Sequence, residues 1–394
     1  MNQENVDAML LAMIQGGEGI SDLLFVVGKP PLAEKHGKLS PVSDGPYSSV
    51  MTAEDIERLA ECLMRGNERL ANDFASLGSC DCSYNIENSA RFRVNIFRQH
   101  GRHAIVMRKL QSLIPTLDNL GLPPIFRELI REKTGIVFVT GGTGSGKTTT
   151  LAAMLNELNQ TSEIHVVTLE DPIEFLHPHA KAAFSQRELG RDFPTFAQGL
   201  RAALRQAPKV IFVGEIRDRE TMEIALTASE TGHLVFSTLH TINAGQTVNR
   251  ILGMFTNDEE QQVRQRLADT LRYVISQRLV ARIDGGRLLV SEIMGSSLRT
   301  REAILYGEDE TRCFQEIIEA GGTAGWHSFD QSLVKAFESN LISEDTAMIF
   351  CTLKNKMRRD IDMVKKLRRT EPEAPTGFKL QIDPHATAPA APFA

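Results

Sequence analysis

Eight consecutive residues carry the clearest chemical signal in the sequence: Gly141, Gly142, Thr143, Gly144, Ser145, Gly146, Lys147 and Thr148. They fill the pattern G-x-x-x-x-G-K-[S/T], in which glycines let the backbone approach phosphate oxygens and aim N–H groups at them. In such a loop the lysine reaches the β- and γ-phosphates, and the final hydroxyl binds Mg²⁺. The loop predicts a site for ATP and Mg²⁺. We also expect Thr149, the residue after the pattern, to bind the nucleotide.

The residues on either side of this loop have the periodicity that a phosphate site needs. The apolar run 136–140 predicts a strand that enters the loop, and 149–158 shows the spacing of a helix that leaves it. A helix that begins at the loop points the positive end of its dipole toward phosphate. This context makes an accidental match to the pattern a poor explanation.

Carboxylates follow two further predicted strands. Glu215 comes after the apolar run 210–213 and a glycine, and Glu170, Asp171 and Glu174 come after the run 165–169. ATP hydrolysis needs a group that orients or deprotonates water and a group that holds Mg²⁺, usually through its waters. We expect Glu215 and Thr148 to hold the metal, although the residues alone leave open which carboxylate is the general base.

Two histidines flank the predicted strand 234–238, and His240 lies at its carboxyl end whereas His233 lies at the other. Open α/β sheets bind ligands beyond the carboxyl ends of their strands. His240 is therefore the candidate sensor of the γ-phosphate, with an ordinary structural histidine as the alternative. We expect the phosphate loop, both carboxylate groups and His240 to converge on one crevice.

Alternating strand and helix patterns from about residue 123 onward predict an α/β domain with a largely parallel sheet. Residues 1–110 predict a small α+β domain, with strands at 23–27, 82–86 and 92–97 and a helix at 52–63. Proline and glycine between them predict a linker or hinge at 111–122. The ATPase domain then spans 123–370, and the proline- and alanine-rich residues 371–394 predict a disordered tail.

Composition narrows the classes of partner. A net charge of −6 and 6% aromatic residues give little basis for general binding to nucleic acid. Five cysteines and no signal peptide predict reduced thiols in the cytoplasm. No apolar run approaches the ~18 residues of a transmembrane helix, so membrane association would be peripheral.

Four motifs in order resemble the secretion ATPase superfamily: TGGTGSGKTTTLAAML, TLEDPIEF, LRQAPKVIFVGEIRDRET and ETGHLVFSTLHT. They are most similar to the type IV pilus retraction branch, the PilT-like ATPases of twitching motility. Residues 1–110 are similar to the PAS-like N-terminal domain of that branch. The resemblance implies a PAS-like α+β domain followed by a RecA-like P-loop NTPase domain.

The resemblance also implies a cytoplasmic hexamer that hydrolyses ATP and acts at the inner membrane on a pilus platform protein. In that family arginines from the N-terminal domain complete the nucleotide site, and Arg93 and Arg108 match them best, with Arg91 a weaker match. The same resemblance implies that Glu215 is the Walker B glutamate, Glu174 the general base and His240 the catalytic-site histidine. The linker would be the pivot of the motor cycle.

Other readings stay open. Ser297-Leu298-Arg299 stands where the retraction branch has alanine-isoleucine-arginine, so an accessory retraction ATPase or another secretion-superfamily ATPase is the alternative. The additional N-terminal domain and tetracysteine insert of the assembly ATPases are not seen, which favours retraction. A nucleic-acid translocase or a non-hydrolysing scaffold fits less well. The basic residues 354–369 predict a helix that is either solvated or docked on an acidic partner or the membrane surface.

Overall fold

The computed structural model describes residues 2–15, 19–42, 47–87, 89–111 and 113–370. The tail predicted at 371–394 lies outside them. Contacts within the chain define two compact units. The first runs from the amino terminus to Leu279 and from Leu289 to Ser328, and the second comprises Val280–Leu288 and the chain from Phe329 onward. The domain boundaries expected near 111–122 stay a prediction.

The first third of the chain forms an antiparallel sheet covered by helices. Its helices are α1 (Gln3–Gln15), α2 (Ala53–Met64) and α3 (Glu68–Leu77), and its strands are β1 (Ile20–Phe25), β2 (Leu32–Lys35), β3 (Lys38–Pro41), β4 (Ser79–Ile86), β5 (Ala90–Gln99) and β6 (Arg102–Leu110). The strand order is β3-β2-β1-β6-β5-β4. All five strand pairs are antiparallel.

Strand β5 shows how this sheet separates its two faces. Phe92, Val94 and Ile96 are fully buried in the core beneath the helices. Because side chains alternate along a strand, Arg91 and Arg93 lie together on the opposite face. The chain then turns into β6 at His100-Gly101, where both residues have positive φ, as a two-residue hairpin loop requires.

The predicted elements of this region are found with shifted ends. The predicted helix 52–63 is α2, and Thr52 and Asp55 form the expected capping box. Strands β2, β3 and β6 were not predicted, since their short or weakly alternating sequences resemble loops. The signal for β6 was the apolar run 104–107, which follows a glycine at position 101.

The following residues form an α/β domain around a seven-stranded sheet. The strands are β7 (Gly135–Thr140), β8 (His165–Glu170), β9 (Ala183–Glu188), β10 (Val210–Val213), β11 (Leu234–Leu239), β12 (Leu271–Ala281) and β13 (Arg287–Gly295). The helices are α4 (Ile125–Leu129), α5 (Lys147–Thr161), α6 (Phe196–Ala203), α7 (Arg219–Glu230), α8 (Ala244–Leu252), α9 (Asn257–Thr270), α10 (Leu298–Tyr306) and α11 (Phe314–Ala320), followed by a 3-10 turn at Gly322–Ala324.

This sheet has the order β13-β12-β7-β11-β10-β8-β9. Pairing is parallel from β12 through to β9. Each central strand is buried on both faces: Ile136 and Phe138 pack into one core, and Val137 and Val139 into the other. This explains why the strands read as continuous apolar runs. The α/β fold class is confirmed.

The second unit contains α12 (Phe329–Glu338), α13 (Glu344–Phe350) and α14 (Lys354–Thr370). Asp330 is buried and accepts the backbone N–H groups of Thr352 and Leu353 just before α14. Helix α14 corresponds to the helix predicted at 354–369. Within the described residues, no helix has both the length and the apolar character needed to cross a bilayer.

The only tryptophan of the chain gives a test of packing. Trp326 packs so tightly on Gly295 that a Cβ there would lie 2.4 Å from its indole ring. We expect Gly295→Ala to lower the free energy of unfolding by about 1–3 kcal/mol, the usual range for overpacking, and to shift tryptophan emission. Gly322→Ala is the control, because its Cβ would meet nothing within 4 Å. Equal stability of the two variants in urea unfolding would contradict this packing.

Candidate active site

The parallel register brings the ends of four strands to one edge of the sheet. Thr140 at the end of β7 pairs with Leu239 at the end of β11. Val213, the last residue of β10, pairs with Ser237 of β11 and Leu169 of β8. The phosphate loop, His240, Glu215 and the carboxylates after β8 therefore all follow this edge.

The phosphate loop has a backbone that only glycine adopts readily at several positions. Gly141, Gly144 and Gly146 have φ values of 143°, 77° and 91°. A Cβ on Gly141 would lie 2.5 Å from the Ser145 Oγ and 2.6 Å from the backbone oxygen of Gln277. The loop thus keeps its backbone close to β12, and α5 begins at Lys147 directly behind it.

The hydrogen-bond donors of the loop suit an anion. The Ser145 Oγ is buried and, among the described residues, has no hydrogen-bond partner. Lys147 Nζ donates to the carbonyls of Gly141 and Gly142 at 2.9 and 3.0 Å, so its donors fold back on the loop. Phosphate oxygens would offer acceptors to both residues and to the loop N–H groups. The residues fit a nucleotide phosphate.

Glu215 and His240 lie next to each other at the sheet edge. The Glu215 side chain is 16% exposed, and its Oε2 lies 3.7 Å from Nε2 of His240. Strands β10 and β11 hold both residues, and the Thr238 hydroxyl donates to the backbone oxygen of Gly214 at 2.6 Å. The other carboxylate oxygen, Oε1, lies 2.6 Å from Arg217 Nη2. Arg217 was not predicted as a site residue, although the Glu-x-Arg spacing was visible.

Electrostatics connects the lysine with both candidate carboxylates. Burial lowers the pKa of Lys147, and the negative charges of Glu215 and Glu174 oppose that shift. Glu174 is half-buried on the loop after β8. Hydroxyl and carboxylate oxygens are the ligands that Mg²⁺ prefers, so Thr148 and Glu215 suit the metal chemically. The described residues contain no group of three or more histidine, cysteine or acidic side chains that would hold a metal ion by themselves.

The three candidate arginines of the N-terminal sheet, Arg91, Arg93 and Arg108, have different surroundings. Arg93 is exposed and acts electrostatically on Asp171, whose pKa is raised by partial removal from water. Arg108 pairs with Asp22, with 2.9 Å between Nε and Oδ1. Arg91 instead donates to the backbone oxygens of Ile173 and Glu174 at 2.7 and 3.1 Å.

A buried polar network supports the loop after β8. Its members on β9 were not predicted from the sequence. Oε1 of Glu170 accepts from the Thr168 hydroxyl at 2.8 Å and from Gln186 Nε2 at 3.1 Å. Gln186 and Glu188 belong to β9, whose polar sequence gave no strand signal. Only the parallel pairing of β9 with β8 brings them to this loop.

Together the phosphate loop, the neighbouring glutamate and histidine, and the parallel sheet are features of a P-loop ATPase. The sequence model of the family described as "Type II/IV secretion system protein" matches residues 78–328. The chain belongs to this family, and within it to the PilT-like pilus retraction ATPases. The resemblance read from the four motifs is thereby confirmed, as is the prediction that the protein is an ATPase.

Individual relatives agree with this placement. The chain is 39% identical to the type IV pilus retraction ATPase PilT of Pseudomonas aeruginosa over 87% of its own length and 97% of that protein. It is 35% identical to the type IV pilus ATPase PilU of the same organism, over 89% and 90% of the two chains. The crystal structure of the pilus retraction motor PilT with bound ADP superposes with a TM-score of 0.79 at 38% identity, covering 89% of this chain and 99% of that one.

The buried carboxyl of Glu170 makes stability depend on pH in a defined direction. Burial raises its pKa from 4.5 to about 7, so the folded state binds the proton more tightly than the unfolded state. The resulting stabilisation is complete below about pH 4.5 and is lost as the pH rises through 7. Between pH 5 and 8, the free energy of unfolding of the wild type should fall by about 2–3 kcal/mol because of Glu170. We expect Glu170→Gln to lack this fall when both proteins are unfolded in urea.

The exposed Glu223→Gln variant is the control for the Glu170 substitution. It should retain the pH dependence of the wild type. Parallel curves for all three proteins would show that Glu170 ionises normally in the folded state.

Proposed function

We propose that this chain is a Mg²⁺-dependent ATPase that works as a ring-shaped, hexameric motor and drives type IV pilus retraction. The observation that carries the enzymatic part is the shared sheet edge where the phosphate loop, Glu215 and His240 meet. Retraction rests on the 39% identity to a pilus retraction ATPase over most of both chains. The hexameric state is inferred from the family resemblance.

Each residue of the site has a role that follows from its position. The N–H groups of the loop from Gly141 to Thr148 and the Lys147 ammonium bind the nucleotide phosphates. Thr148 and Glu215 would hold Mg²⁺, which would neutralise charge on the phosphates. Glu174 orients the attacking water and accepts its proton. His240, beside Glu215, contacts the γ-phosphate.

Arginines from the N-terminal domain complete the site in this proposal. Arg93 is exposed on the face of β5 that also carries Arg91, so its guanidinium is available to a phosphate. Arg108 pairs with Asp22, and therefore contacts phosphate only after that ion pair opens. Guanidinium groups stabilise the charge that develops during phosphoryl transfer.

The surface of the second unit supports a contact with the pilus machinery at the inner membrane. Helix α14 carries lysines and arginines along its length, and Met363 and Leu367 are 63% and 57% exposed on it. A basic helix with exposed apolar side chains suits an anionic membrane surface or an acidic partner. We place the protein in the cytoplasm, peripheral to the inner membrane and bound to the platform protein.

An accessory retraction ATPase is the second candidate function. Ser297 caps the start of α10, and Leu298, which stands where the retraction branch has isoleucine, is 80% exposed. A substitution at an exposed position alters partner contacts more than the hydrolytic site. The alternative therefore concerns which partner the motor serves and leaves the ATPase chemistry unchanged.

Substitutions in the site should separate binding from hydrolysis. We expect Lys147→Ala to abolish turnover, because the phosphates lose their buried cation. We expect Glu174→Gln and Glu215→Gln each to slow turnover at least ~10²-fold with nucleotide binding largely retained. Phosphate release and fluorescent-nucleotide titration measure the two effects, with Glu223→Gln as control. Wild-type turnover in either carboxylate variant would remove that residue from the mechanism.

Dependence on assembly tests the motor. We expect Mg²⁺-dependent ATPase activity to rise with protein concentration in step with ring mass, because the proposed motor works as a hexameric ring. Arg93→Ala should lose at least ~10³-fold in rate within an intact ring. Arg102→Ala, an exposed arginine on the neighbouring strand, should behave as wild type. Full activity in a monomer would contradict the ring-shaped motor, and full activity in Arg93→Ala rings would contradict an arginine-completed site.

A further inference from the structure

The loop that carries Glu174 is held at almost every backbone position from 173 to 177, a stretch that we call the clamped segment. Glu188 Oε2 accepts the Ile173 N–H at 3.3 Å. Gln186 donates to the Phe175 oxygen at 2.8 Å and accepts the His177 N–H at 2.7 Å. These bonds come from β9, and they fix the main chain on both sides of Glu174.

The N-terminal domain supplies the remaining bonds of the clamped segment. Arg91 of β5 donates to the oxygens of Ile173 and Glu174, so both of its terminal nitrogens are engaged by main-chain acceptors. Ser83 of β4 donates to Glu188 Oε1 at 2.7 Å. The carboxylate that holds the Ile173 N–H is thus itself held from the N-terminal domain.

Charge balance keeps Arg91 in this position. Its guanidinium is half-buried, and burial lowers its pKa while Glu188 and Glu170 oppose the shift. A partly buried cation is stable only where opposite charges and hydrogen bonds replace water. Arg91 has both, chiefly from the Glu188 carboxylate and from the two carbonyl oxygens.

The contacts of Arg91 differ from those expected of an arginine that binds phosphate. Arg91 and Arg93 share one face of β5 because they are two residues apart. The donors of Arg91 end on peptide oxygens of the clamped segment, whereas Arg93 acts on the Asp171 carboxylate at the site. One face of the strand therefore carries two arginines with separate tasks.

We propose that Arg91 is a positioning residue that sets the orientation of Glu174 through its main chain, and so couples the placement of the N-terminal domain to hydrolysis. The inference rests on the proposed role of Glu174. When the N-terminal domain shifts, the carbonyls of Ile173 and Glu174 lose their donors and Glu188 loses Ser83. Glu174 then leaves the geometry in which it activates water, and small misplacements of this kind cost as much as ~10²-fold in rate.

A double-mutant cycle between Arg91 and Glu174 tests this proposal. We expect Arg91→Ala to lower kcat about 10- to 100-fold while KM for ATP stays within about twofold. In the Glu174→Gln background the same substitution should cost less than about twofold, since it acts through the missing carboxylate. The assay is steady-state phosphate release by assembled full-length protein, with Arg102→Ala as the matched arginine control.

The alternatives give different results in this cycle. A residue that contacts phosphate directly would raise KM or give fully additive losses, as we expect for Arg93→Ala, and either result for Arg91→Ala overturns the inference. If Glu174→Gln itself turns over at the wild-type rate, the general-base assignment fails and the inference fails with it. Slow Glu174→Gln turnover with an additive Arg91→Ala loss overturns the inference alone.

A second variant covers the case in which Arg91→Ala does not fold. Glu188→Gln keeps the shape of the side chain but removes the charge that faces Arg91 and one of the two acceptor oxygens. We expect a smaller loss of kcat, about 3- to 10-fold, with unchanged KM and the same absence of further loss in the Glu174→Gln background. An additive loss for Glu188→Gln would overturn the inference independently.

Discussion

The parallel register of β7, β11, β10 and β8 is the constraint on which the rest of the structure depends. Parallel strands cannot be joined by tight turns, so helices cross over both faces and bury them. The buried faces of the sheet are therefore lined mainly by apolar side chains, and the charged groups collect where the strands end. The phosphate loop, Glu215 and the loop bearing Glu174 occupy that edge for this reason.

A site at the end of a buried sheet needs polar groups that are held in place without water. Here the support comes from a second layer of residues: Gln186 and Glu188 bond to the main chain on both sides of Glu174, and Glu170 accepts a hydrogen bond from Gln186. Buried polar atoms are costly when unpaired, so such networks fix one arrangement. Among the described residues, the buried Ser145 hydroxyl has no hydrogen-bond partner, which leaves it available to a ligand.

The antiparallel sheet of the N-terminal domain serves the same site through its other face. Alternation along β5 puts apolar side chains into its own core and arginines toward the ATPase domain. Ser83 bonds to Glu188, Arg91 bonds to the main chain of the clamped segment, and Arg93 acts electrostatically on Asp171. A rigid sheet can transmit a rotation to several contacts at once, which gives a physical basis for coupling domain movement to chemistry.

The sequence by itself determined the phosphate loop, the α/β class and the central strands, because glycine spacing and continuous apolar runs are local signals. It also indicated Glu215, Glu174 and His240 by their places after predicted strands. Only the tertiary structure decided that His240 adjoins Glu215, that Arg108 pairs with Asp22, and that Arg91 bonds to main chain. It alone revealed β9, whose polar residues gain their meaning by pairing with β8. Which distant groups meet depends on strand order and register, and these are set by packing across the whole domain.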